Sequence, residues 1–172
     1  MKYPIAYHIT FTTYGSWLHG DQRDSVDKDH NQYGSNFVSP SAGLYKKEQT
    51  RLKSSPVVLD KYIREAVLMA LLQVCDYRGW IVYAVHVRSN HIHIVVSGRE
   101  KPEKMMVDFK AYATRAIKKN SNNQAMLRKY WSRHGSTKYL WTKENLISTV
   151  DYVKNKQGKI MSLWVGDLYN EP

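Results

Sequence analysis

Two runs of alternating apolar residues, WIVYAVHV and HIHIVV, separated only by RSN, constrain this chain more than any other feature. Apolar side chains at every second position suit a strand with one buried face. Ile81, Tyr83, Val85 and Val87 mark that face in the first run, Trp80 to Val87, and Ile92, Ile94 and Val96 in the second, His91 to Val96. Arg88, Ser89 and Asn90 leave room only for a tight turn, so the runs are read as an antiparallel hairpin. His91 and His93 then share the face opposite the isoleucines. Two imidazoles placed this way can grip one cation, or can be two polar-face histidines. His86 and His8 are expected to reach the same open face.

The rest of the chain extends this pattern. Tyr3 to Tyr14 alternates with Ile5, Tyr7, Ile9 and Phe11 on one side and His8, Thr10 and Thr12 on the other, which predicts a half-buried strand. Residues 19–56 show no period and many turn formers, and are read as a long loop insertion. Their Asp/His-rich patch (Asp21, Asp24, Asp27, Asp29, His30) matches no calcium-loop spacing and is read as solvated. Asp60 to Tyr77 carries a helical stripe of Ile63, Val67, Leu71 and Val74, with Asp60 as cap and Gly79 as stop. Pro102 to Lys119 is a second helix, Ser136 to Trp141 a fourth strand, and Thr142 caps a third helix running to about Gln157. The order β-α-β-β-α-β-α predicts an α+β fold, a ferredoxin-like (RRM-like) βαββαβ sandwich with an antiparallel sheet plus a C-terminal helix. Residues 1–158 are read as one domain and 159–172 as a tail.

Composition narrows the partners. The formal net charge is +11 over 172 residues, and a single domain this basic usually meets a polyanion. Between Phe109 and Lys143 stand nine Lys/Arg and no acid: Lys110, Arg115, Lys118, Lys119, Arg128, Lys129, Arg133, Lys138 and Lys143. Tyr112, Tyr130, Trp131, Tyr139 and Trp141 lie among them. Cations with interleaved rings suit single-stranded nucleic acid, whose phosphates meet charge and whose bases stack. No apolar run approaches the ~20 residues that span a bilayer. The single cysteine, Cys75, excludes an internal disulfide framework, so a cytoplasmic location is expected.

The last helix supplies a candidate nucleophile. In ENLISTVDYVKNKQG, Leu146, Val150 and Val153 form the apolar stripe, and Tyr152 falls on the polar side with Asn145, Ser148, Thr149, Asn155 and Lys156. A phenol is a weak nucleophile at neutral pH, but a nearby cation can polarise a scissile phosphate and stabilise its developing charge. Metal pair, tyrosine and basic surface together point to phosphodiester transesterification.

At these residues the chain resembles a known family. NHIHIVV is similar to the HUH motif (His, hydrophobic, His) of single-tyrosine transposases of the insertion-sequence-200/605 type and their REP-associated relatives. VDYVKNKQG resembles their tyrosine segment, FKAYATRAIKK the intervening helix, and KYLW the strand before the tyrosine. The resemblance spans most of Tyr3 to Gly158. It implies a dimeric, metal-dependent single-stranded DNA endonuclease and strand transferase acting on hairpin-containing DNA. His91 and His93 would bind Mg²⁺ or Mn²⁺, and Tyr152 would form a 5′-phosphotyrosine and free a 3′-OH.

One departure matters. The family's third ligand is an amide four residues after the tyrosine, where this chain has Lys156. Asn155 shares the face of Tyr152 in a regular helix, whereas Gln157 needs the helix end to loosen before Gly158; both stay open, with His8 or His134 as substitutes. Alternatively the site is impaired and Lys156 neutralises phosphate. Tyr112 is the rival nucleophile. Lys110, Arg115, Lys118, Lys119, Arg133, His134, Lys138 and Lys156 are assigned to DNA contact. Competing readings are a two-histidine RNA phosphoesterase built on HITF, a catalytically silent single-strand-binding module, and a domesticated transposase.

Overall fold

The computed structural model describes residues 3–16, 42–121 and 129–167. In chain order these form β1 (Ala6–Thr13), α1 (Ala42–Thr50), α2 (Lys61–Arg78), β2 (Ile81–Val87), β3 (His91–Ser97), α3 (Pro102–Asn120), β4 (Trp131–Leu140), α4 (Lys143–Asn155) and β5 (Ser162–Val165). The strands make one sheet, order β4-β1-β3-β2-β5, with every pairing antiparallel. The first four reproduce the ferredoxin-like arrangement, with β1 and β3 as central neighbours.

Local chemistry sets the helix limits. Asp60 Oδ1 accepts the Ile63 N–H at 2.9 Å, and Gly79 closes α2 at φ 67°. α3 opens on Pro102, whose missing N–H costs nothing at that position. Thr142 accepts the Asn145 N–H to start α4.

The sheet has two differently loaded faces. On one, Tyr7, Ile9, Phe11, Ile92, Ile94, Val96, Val85 and Val87 meet α2 and α3 through Val67, Leu71, Val74, Met105, Phe109 and Ala113. Cys75 is buried here as a free thiol. On the other, Ala6, Tyr83, Ala84, Val95 and Leu140 meet α4 through Leu146, Val150 and Val153. The ladder beyond this small cluster carries histidines.

Several expectations are corrected. The loop expected over 19–56 contains α1, which lacks an amphipathic stripe and so leaves no periodic trace. The Asp/His-rich patch lies outside the described residues. The alternation expected from Ile81 through Val87 is broken by a register shift between Val82 and Ala84. Tyr83 is the extra residue of this bulge, so Ile81 and Tyr83 turn to the α4 side while Val85 and Val87 keep to the other. β4 starts at Trp131 rather than Ser136, because Trp131 stacks edge-on against Phe11 at 5.1 Å and donates its indole N–H to Thr114 Oγ1. A second register shift, between Phe11 and Thr13, leaves 132–134 looped off the ladder. α4 stops at Asn155, and a fifth strand, unforeseen in the tail, pairs with β2. Gly135 is required where it is, since a Cβ would lie 2.5 Å from the Thr10 carbonyl and against Met106 of α3.

Candidate active site

Strand register assembles the site. Thr12 faces His91, Thr10 faces His93 and His93 faces His86 across three adjacent strands. His8 lies on the same face, and all four histidines are buried. Both predicted imidazoles of β3 therefore emerge on the α4 side, as their parity requires.

The histidines are not equivalent. His93 is central: its Nδ1 lies 3.1 Å from His8 Nε2 and 3.0 Å from Thr10 Oγ1, and its Nε2 lies 2.9 Å from Gln157 Oε1. His91 Nδ1 lies 2.7 Å from Asn90 Oδ1, a contact in which Nδ1 carries the proton and Nε2 the lone pair. His86 is occupied at both nitrogens. Its Nδ1 donates to the Val153 carbonyl at 2.9 Å, and its Nε2 accepts the Met161 N–H at 3.1 Å. It clamps the chain on either side of the 154–160 turn.

Electrostatics keep the central pair neutral. Burial, with His91 and His8 beside it, pushes His93 down to about 3. Burial, with Lys138 near by, lowers His8 to about 4. A neutral imidazole is the form that ligates metal. Desolvation lowers His86 as well.

α4 brings Tyr152 over this cluster. Its ring centroid lies 5.9 Å from that of His93 and 6.0 Å from that of His8, and the residue is 45% exposed. The rival, Tyr112, belongs to α3 on the far side of the sheet, packed under the Arg115 guanidinium at 4.2 Å.

The two amides part company. Asn155 stays helical and donates to Asp151 Oδ1 at 2.6 Å, away from the histidines. Lys156 leaves helical geometry at φ −106°, ψ 13°, and Gly158 takes φ 72°. That loosening swings Gln157 back to His93. Lys156 is exposed at the helix end.

The predicted cations are spread widely. Arg115, Lys118 and Lys119 sit on α3, across the sheet from Tyr152. Lys138 lies beside His8 in the ladder, and Arg133 and His134 are exposed on the looped-off part of β4. Lys110 has another task. Its ammonium donates to the carbonyls of Ser132, Arg133 and His134 at 3.0, 3.5 and 3.3 Å, holding together the three that the irregular ladder leaves over. Sequence reasoning missed Thr10 and Asn90 as partners of the histidines. Strand parity pointed to the first, and adjacency to His91 was the only signal for the second.

Among the described residues no three His, Cys, Asp or Glu side chains converge to hold a metal ion. The available donor set is instead two imidazoles and an amide oxygen. That set is chemically competent for a divalent first-row ion, with water completing the coordination.

Fold and site define a class: an α+β domain whose antiparallel sheet carries a histidine pair beneath a helix bearing an accessible tyrosine. The chain belongs to the IS200-like transposase family, whose model ("Transposase IS200 like") matches residues 50–159, well over half of its length. Among solved structures it is similar to a REP-associated tyrosine transposase bound to a REP hairpin, with 13% identity, TM-score 0.48, 89% of this chain and 66% of that one covered. This chain thus spans just under two thirds of that relative. It is also similar to a candidate transposase from Deinococcus radiodurans R1, with 11% identity, TM-score 0.49, 91% and 94% covered. No curated protein matches. Among the described residues no helix is long and apolar enough to cross a membrane.

Proposed function

We propose that the chain is a metal-dependent endonuclease and strand transferase of single-stranded, hairpin-containing DNA, working as a homodimer through a 5′-phosphotyrosine. The observation that carries this reading is the meeting of Tyr152, His93 and Gln157, with Gln157 Oε1 2.9 Å from His93 Nε2 and the tyrosine ring beside the same imidazole. His91, His93 and Gln157 would hold Mg²⁺ or Mn²⁺, which when bound supplies Lewis-acid polarisation of a phosphate oxygen. Asn155, engaged with Asp151, is the weaker choice of third ligand.

The protein's own step is a transesterification. The Tyr152 oxygen bonds to phosphorus, the bond from phosphorus to the 3′ oxygen breaks, and the phenol proton ends on the departing 3′-OH. One phosphodiester replaces another, so the 3′-OH of the same or another strand can reverse the step with no external energy source. Lys138 and Lys156, exposed near the two ends of the site, are suited to phosphate, whereas Lys110 is not, being spent on carbonyls.

The test is incubation of labelled single-stranded hairpin DNA with the protein and Mn²⁺, followed by denaturing electrophoresis. A covalent adduct is expected, lost with EDTA and in Tyr152→Phe but kept in Tyr112→Phe. Gln157→Ala should weaken Mn²⁺ binding, read by electron paramagnetic resonance, at least tenfold, and Asn155→Ala should leave it unchanged. An adduct that survives Tyr152→Phe refutes the nucleophile. RNA turnover in EDTA would replace this reading with a two-histidine phosphoesterase on His8 and His93.

A further inference from the structure

The hairpin turn that presents His91 is flanked by two arginines outside the machinery described so far. Arg64, in the first turn of α2, donates from Nη1 to the Leu59 carbonyl at 2.8 Å. Leu59 in turn gives its N–H to the Ser89 carbonyl at 2.7 Å, so the Arg64 guanidinium is anchored against the turn that begins at Arg88. Arg88 donates from Nη1 to the Lys159 carbonyl at 2.9 Å, and its Nη2 lies beside Gly158. It therefore borders the turn that carries Gln157.

Neither guanidinium is engaged in an ion pair among the described residues. Of the carboxylates close to Arg64 in sequence, Asp60 is spent on capping α2, and the adjacent Glu65 is exposed and makes no ion pair with either arginine among the described residues. Arg64 Nε is buried without a hydrogen-bond partner. Each guanidinium has five N–H donors, and the bonds seen here are to single backbone carbonyls. Both guanidiniums flank the same hairpin turn, Arg64 through Leu59 and Ser89 and Arg88 as its first residue. Two partly buried like charges at one turn, with no ion pair among the described residues, repel, and an anion seated between them would reverse that cost. Guanidinium groups match phosphate oxygens in shape as well as charge.

We propose that Arg64 and Arg88 form a phosphate-binding pair that holds the backbone of single-stranded DNA beside the Tyr152 site, on the Gln157–Lys159 side. The pair would fix the strand's register relative to the tyrosine, a positioning task that phosphate contacts perform without reading bases. This rests on the DNA-cleavage reading above, but it is tested without cleavage.

The experiment uses the full chain carrying Tyr152→Phe, in EDTA, with a fluorescent oligothymidylate titrated at several salt concentrations. Arg64→Gln and Arg88→Gln should each weaken binding about tenfold at low salt, and the slope of log affinity against log salt should shrink by about 0.7 for each phosphate lost. Arg64→Lys and Arg88→Lys should keep the slope. Thermal unfolding without DNA should be unchanged or raised in the glutamine variants, because repulsion is relieved. Unchanged affinity and slope overturn the proposal. So does weaker binding that comes with an unchanged slope and a lower unfolding temperature, since the arginines would then only hold the Leu59 and Lys159 carbonyls. Failure of the Tyr152→Phe parent itself to bind would refute the DNA reading and this proposal with it; failure confined to the arginine variants refutes this one alone.

Discussion

Acidifying the protein from about pH 8 to about pH 5 acts directly on the two central imidazoles. An unfolded histidine titrates near 6.5, whereas His93 is held down to about 3 and His8 to about 4 in the fold. Folded values lie below unfolded ones, so stability is complete above the unfolded pKa and is lost as pH falls through 6.5 toward the folded values. At about pH 5 the unfolded chain has bound nearly one proton at each position and the folded chain almost none. With 1.36 kcal/mol per unit over about 1.5 units, each histidine then costs about 2 kcal/mol, and the pair about 4 kcal/mol. The sum barely depends on the folded values, since both imidazoles are still neutral at that pH and do not repel. His86, lowered in the same direction, adds to the loss. A loss of about 4 kcal/mol is large against the 5–15 kcal/mol typical of whole domains. Urea unfolding at half-unit pH steps reads it, with a limiting slope of about 2.7 kcal/mol per pH unit for two protons. His8→Gln and His93→Gln should each remove about half of the decline. A stability that stays flat from pH 8 to pH 5, or that declines equally in both variants, would refute the burial argument.

Two further substitutions separate scaffold from site. Gly158→Ala meets no crowding, but φ 72° is unfavourable for any residue with a Cβ; it should cost about 1 kcal/mol in urea unfolding and, by disturbing the turn that delivers Gln157, slow adduct formation more than that cost explains. Lys110→Met should lower stability by about 2 kcal/mol, because the three carbonyls of 132–134 lose their charged donor, while affinity for single-stranded DNA stays within twofold of the parent.

The parity of His91 and His93 was legible because alternation is a property of the strand itself. The same logic failed one strand earlier, where the bulge at Tyr83 inserts a residue and reverses the parity of Ile81 without altering the hydrophobic pattern. Tyr152 was legible from its place opposite Leu146, Val150 and Val153. The choice between Asn155 and Gln157 was not, since it depends on where the helix stops, and that is decided by the conformations of Lys156 and Gly158 and by the grip of His86 on Val153 and Met161. The basic segment was legible as charge but not as surface. Its cations end on different elements and both sides of the sheet, and Lys110 turns inward to a ladder irregularity that no composition announces. β5, four residues long, is too short to show a period.

The unequal faces of the sheet bear on how the chemistry is held. α2 and α3 each bury six residues, five of them in the larger core, whereas α4 buries three, Leu146, Val150 and Val153. By apolar area alone α4 is, of these three helices, the one that costs least to displace, and it carries Tyr152. Polar contacts make up part of the difference, and they gather at its C-terminal end: His86 to Val153, Gln157 to His93, and Arg88 to Lys159. All three run to the hairpin strands β2 and β3 or the turn between them, the segment that also bears His91 and His93. Tyrosine and histidines are thus referenced to one hairpin rather than to the core as a whole. A shift of α4 along the sheet would break these bonds together while leaving α2 and α3 untouched, so the site is maintained or lost as a unit.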